Sequence, residues 1–147
     1  METEIIPPSC CKIAKYNIKK IICVILKEQI NKINNNKIVE IVFINENEMR
    51  EYNRTYRKIN RTTNILTFNY SKFTDAEIVL SSIVLCMTVI ERRAKLHNST
   101  IEAELKRTLI HGVLHVAGYD HINKKERRKM QELEDLYMKR FNKLNIL

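Results

Sequence analysis

Three of the four histidines fall within eleven residues, His111, His115 and His121, in the run His111-Gly112-Val113-Leu114-His115-Val116-Ala117-Gly118-Tyr119-Asp120-His121. Residues four apart on a helix share one face, so His111 and His115 project together. Gly118 supplies a helix stop, because glycine accepts the left-handed conformation that ends many helices. After such a turn His121 can aim back at the same point. Three neutral imidazoles with a fourth position open are a usual way to hold a catalytic zinc. The fourth histidine, His97, fits no part of this spacing and reads as a surface residue.

The spacing also matches the long zinc-protease pattern HExxHxxGxxH, with one element missing. The general-base glutamate of that pattern would stand at Gly112, which has no side chain. Coordination alone can bring the pKa of water to about 7, so the run argues for a metal hydrolase and against an ordinary protease. Asp120 has three possible roles: accepting a hydrogen bond from a ligand imidazole, capping the turn, or moving a proton. Tyr119 reads as a packing residue with its hydroxyl paired.

Positioning these side chains falls to interleaved helices and strands. Apolar spacing predicts a helix over about Lys12 to Lys32, whose stripe includes Ile13, Tyr16, Ile21, Ile25, Ile30 and Ile33. The β-branched run Ile38 to Ile44 predicts a strand. Asn45, followed by Glu46 and Glu48, caps a second helix with Met49, Tyr52, Asn53 and Tyr56 on one side. The segment Tyr56 to Phe68 leads from that helix into a second strand. A third is expected over Glu77 to Leu85, broken near Ser81-Ser82. Further helices are expected at Met87 to His97, from a Ser99/Glu102 capping box through the histidines, and at Asn123 to Asn142. The last of these would bury Met130, Leu133, Leu136, Tyr137 and Phe141. Asn34-Asn35-Asn36 sits where a loop is expected. The expectation is one α+β domain over residues 1–147: a small mixed sheet, about five helices, and a three-histidine metal site at a helix end and turn.

The chain carries 26 Lys and Arg against 17 Asp and Glu, a net charge of +9 that favours an anionic partner, nucleic acid foremost. The longest strongly apolar run, Ile21 to Leu26, is far too short to span a bilayer. With no signal-peptide layout at Met1-Glu2-Thr3-Glu4, a cytoplasmic location is the expectation. Cys10, Cys11, Cys23 and Cys86 form no CxxC pair and read as reduced thiols without a metal role.

The stretch His111 to His121 resembles the HGxLHLxGYDH signature of the YbeY family, metal-dependent endoribonucleases of rRNA maturation, with Val116 in place of the usual leucine. Tyr56-Arg57 and Thr63-Asn64-Ile65-Leu66-Thr67-Phe68 resemble that family's YRxxDxPTDVLSFP segment. The departures are Asn60 for its aspartate, Thr62 for its proline, and Ser81-Ser82 for its Gly-Asp. The resemblance implies one zinc ion per chain on His111, His115 and His121, with Arg57 near the RNA phosphate. It implies processing of precursor rRNA, including the 16S rRNA 3′ end, and contact with the ribosomal subunit or its proteins. Arg54, Lys58 and Arg61 would hold the backbone of single-stranded RNA. Lys124, Lys125, Arg127 and Arg128 read chiefly as a solvated helix face. The alternative is a ribosome-associated assembly factor whose metal is structural. A hydrolase of peptides or small amides is disfavoured by Gly112 and by the basic charge.

Overall fold

In the computed structural model, residues 1–30, 37–70 and 79–147 are described, those at 79 and 80 by backbone alone. The elements run β1 (Glu2–Ile6), α1 (Lys15–Gln29), β2 (Lys37–Phe43), α2 (Glu46–Arg57), β3 (Ile65–Asn69), β4 (Val79–Leu85), α3 (Met87–Leu96), α4 (Ile101–Val116) and α5 (Lys124–Arg140). The sheet order is β1-β2-β4-β3. β1 and β4 pair parallel to β2, and β3 pairs antiparallel to β4. The expected α+β domain, with its mixed sheet and five helices, is what forms.

Alternation sorts the sheet into two faces. Val39, Ile41, Ile83 and Leu85 point to one side, where Ile21, Ile25, Leu109, Val113 and Tyr137 complete the main core. Leu66 and Val84 point to the other, against Met49 of α2 and Val89 of α3. α4 is pressed onto the first face at Gly112. A Cβ there would meet Ile65 Cδ1 at 2.5 Å and Ile83 Cγ2 at 3.1 Å. The helix therefore approaches the sheet where the protease pattern would place its glutamate.

Several local expectations need correction. β1 was not expected: its ETEII sequence looks half polar because only Thr3 and Ile5 are buried, against β2. α1 is shorter than Lys12 to Lys32, and Ile33, the asparagine run and Glu77 lie outside the described residues. β4 runs unbroken through Ser81 and Ser82, because both buried hydroxyls find acceptors, Asn69 Oδ1 and Glu40 Oε2, each at 2.8 Å. Tyr52 and Tyr56 share a side with Met49 and Asn53 but stay exposed. Leu136 is likewise 56% exposed, and Glu134 takes the inward place.

The helix starts are fixed by their caps. Asn45 and Glu48 form a reciprocal capping box on α2. On α4 the cap is Thr100, accepting from Ala103 N at 3.1 Å, rather than Ser99. Glu102 is drawn away to accept from the Ile146 backbone N–H at 2.6 Å, which fastens the C-terminal segment. Asn123 caps α5 by accepting from Glu126 N at 2.9 Å.

Candidate metal centre

α4 ends by the expected device. Gly118 adopts φ +103°. Its N–H donates to His115 O and the Tyr119 N–H to Leu114 O, both at 3.0 Å, which is a Schellman closure. The reversal brings His121 back over α4. The ring centroids of His111, His115 and His121 lie 4.6, 5.8 and 5.1 Å apart. One nitrogen from each comes within 4.8 Å of the others, close enough to hold a single metal ion.

The outward nitrogens all have partners. His111 Nδ1 meets the Glu134 carboxylate. His115 Nδ1 donates to the Tyr119 carbonyl at 2.9 Å, and His121 Nδ1 lies 3.2 Å from Asp120 Oδ1. Acceptors at Nδ1 place the hydrogen there, which leaves Nε2 as the lone pair of each neutral ring. Two such lone pairs, His111 Nε2 and His115 Nε2, face each other at 3.0 Å. That approach is repulsive unless a cation or a proton lies between them. Burial, and secondly the nearby His111, hold the His115 pKa below its ordinary value, so its own ring favours the neutral, metal-ready form. The donor set therefore fits a divalent cation of borderline softness.

Glu134 was not anticipated. It is buried on α5 and also lies 3.7 Å from Arg107. The signal was present, since Met130, Glu134, Tyr137 and Phe141 follow one inward stripe and a carboxylate interrupts it. Asp120 Oδ1 also accepts from the His121 backbone N–H at 2.7 Å, so it serves both the turn and the ring. A hydrogen-bond chain anchors the turn from behind. Tyr119 OH donates to Gln29 Oε1, Gln29 Nε2 to Tyr137 OH, and Tyr137 OH to Glu28. Tyr119 is thus paired as expected, and its carbonyl is held where His115 needs it.

Arg57, the last residue of α2, lines a cleft of about 410 Å³ with Thr67, Asn69, His115, Asp120 and His121. Arg57 and Arg61 share an adjoining hollow. Asn53 shapes it by donating to the Arg61 carbonyl at 2.7 Å. Arg54 instead pairs with Glu51 at 2.6 Å, and Lys58 turns back to the Thr55 carbonyl. His97 is exposed at the surface, 3.2 Å from Glu104. The four cysteines are unpaired thiols and stand apart from the histidine cluster.

The family model described as Endoribonuclease YbeY matches residues 9–142. This chain belongs to the YbeY family. Among its relatives, the Endoribonuclease YbeY of Buchnera aphidicola from Acyrthosiphon pisum is 38% identical over 90% of this chain and 87% of its own. The Endoribonuclease YbeY of Thermotoga maritima is 33% identical over 83% of this chain and 77% of its own. A solution structure of a Thermotoga maritima protein superposes with a TM-score of 0.61 at 26% identity, covering 97% of this chain and 93% of that one. Among the described residues, no helix is long and apolar enough to cross a membrane.

Of the departures from the YbeY pattern, Thr62 has a structural trace. Its buried hydroxyl has no hydrogen-bond partner among the described residues.

Proposed function

We propose that this protein is a zinc-dependent endoribonuclease that cuts single-stranded regions of precursor rRNA, including the 16S rRNA 3′ end. The carrying observation is the convergence of His111, His115 and His121, the last two of which line one cleft with Arg57. Membership of the YbeY family supports the nuclease reading. In this reading the three histidines present their Nε2 atoms to one zinc ion per chain. Glu134, the Tyr119 carbonyl and Asp120 keep each ring in the tautomer that leaves Nε2 free. The ion supplies Lewis acidity and lowers the pKa of water, which answers the lack of a side-chain base at Gly112. Arg57 holds a phosphate oxygen through its planar guanidinium and offsets charge that builds as the phosphodiester is attacked. Arg61, with Arg54 on α2 and Lys58 just past its end, attracts the flanking backbone, so binding weakens as salt rises. The reading sets the protein in the cytoplasm, working with the ribosomal subunit or its proteins.

A second reading has one observation in its favour. With no carboxylate at position 112, the metal could be structural and the protein a ribosome-associated assembly factor that binds RNA without cutting it. The test is cleavage of a labelled single-stranded RNA by zinc-loaded protein, beside His115→Ala and Arg57→Ala purified identically. The nuclease reading expects cleavage by wild type alone, with Arg57→Ala still holding zinc. RNA binding without cleavage by wild type would favour the assembly factor, and equal cleavage by all three would expose a contaminant.

A further inference from the structure

Beside the metal cleft lies a row of aromatic rings that the proposed chemistry does not use. Tyr52 and Tyr56 stand one helical turn apart on α2, with ring centroids 5.8 Å apart. Tyr56 meets Phe68 of β3 edge-on at 5.0 Å, and Phe68 stacks on Tyr70 at 6.2 Å. Single exposed aromatics are ordinary on protein surfaces. Here four are in ring contact: Tyr56 is 60% exposed and Tyr52 and Tyr70 about 40%, while Phe68 is partly buried against the second core cluster and backs them.

Along the chain that carries them the charge is mostly basic, although Glu51, just before Tyr52, pairs with Arg54. From Tyr52 to Tyr70 the sequence holds Arg54, Arg57, Lys58 and Arg61 and no acidic residue. Cations interleaved with aromatic rings are how proteins bind single-stranded nucleic acid without reading its sequence: the cations track phosphates and the rings stack bases. The row also joins the cleft. Tyr56 precedes Arg57, which lines the cleft, and Thr67 and Asn69, the neighbours of Phe68 on β3, line it from the other face of the strand. β3 is an edge strand of the sheet, so an RNA strand passing that edge can reach both the rings and the histidine cleft.

We propose that Tyr52, Tyr56, Phe68 and Tyr70 form a stacking surface for the unpaired bases of single-stranded RNA that leads past Arg57 into the histidine cleft. It rests on the RNA reading above and explains how single-stranded substrate is preferred, since paired bases offer no free faces to the rings.

The test is equilibrium binding of the full-length protein to a labelled single-stranded oligoribonucleotide, in chelator so that no cutting intervenes. An abasic strand of equal length serves as the backbone-only probe. Tyr56→Ala and Tyr70→Ala should each weaken binding of the single strand by about five-fold or more, the low end for one base–aromatic stack. Tyr56→Phe, which keeps the ring, should stay within about two-fold of wild type. Neither change should alter binding of the abasic strand. Wild-type affinity in both alanine variants, or equal losses on the abasic strand, would overturn the stacking surface and leave the nuclease reading standing. Failure of wild type to bind any RNA would overturn both.

Discussion

The Glu134 carboxylate on α5 hydrogen-bonds to Nδ1 of His111 on α4, a contact between positions 23 residues apart in the chain. It ties the C-terminal helix to the three-histidine cluster. A carboxylate behind a ligand imidazole fixes the ring's tautomer and raises its basicity.

Replacing that carboxylate should therefore weaken the metal without removing a ligand. Glu134→Ala is expected to lose about 10–100-fold in zinc affinity. Glu134→Gln, which can still accept from Nδ1–H, should lose less. Competition with a chromophoric chelator measures both. Unchanged affinity in both variants would remove Glu134 from the site.

Gly112 invites the substitution that would complete the protease pattern. Gly112→Glu is expected to destabilise the fold and to yield no peptidase, because its Cβ would press on Ile83 Cγ2, a branch that cannot swing away. Overpacking of this kind costs about 1–3 kcal/mol, and each kcal/mol lowers the melting temperature of a domain this size by about 2–4 °C. Thermal denaturation of the variant checks it.

Gly118 carries the turn that returns His121. A side chain there has open space but meets φ +103°, so Gly118→Ala isolates backbone strain. About 1–3 kcal/mol of stability should be lost, and zinc affinity should fall with it because His121 is displaced. A variant that melts lower yet binds zinc as tightly as wild type would show that the turn does not position the ligand.

Glu28 gives the fold an acid-sensitive fastening between α1 and α5. Hydrogen bonds from Arg140, and then from Tyr137, hold its carboxyl below the ordinary carboxylate range. A depressed pKa contributes stability that is present above the unfolded value near 4.3 and lost as pH falls through the folded one. The stability difference between wild type and Glu28→Gln should thus be present at neutral pH and vanish in acid. Exposure of the pair makes it small. Denaturant titrations across pH 3 to 7 read it, and a difference that grows toward acid would contradict it.

Much of this was legible in the sequence because the local chemistry is self-sufficient. The histidine spacing, Gly118 and the Asn45 cap each act within one or two turns, and they form as expected. β1 was hidden because only two of its residues are buried, and its pairing with β2 is a tertiary event. Glu134 was hidden for the same reason: its partner lies on another helix, although its interruption of an apolar stripe was a usable sign. Ser81-Ser82 misled in the opposite direction. Buried serines look like a break until Glu40 and Asn69 are seen beside them.

The most direct test of the metal-dependent nuclease is cleavage of a labelled single-stranded RNA by protein stripped of metal and then titrated with zinc. Stripped protein should not cleave but should still bind RNA, and cleavage should recover fully at about one zinc per chain, the stoichiometry of a single three-histidine site. Cleavage that survives stripping, or zinc that binds without restoring it, would contradict the account.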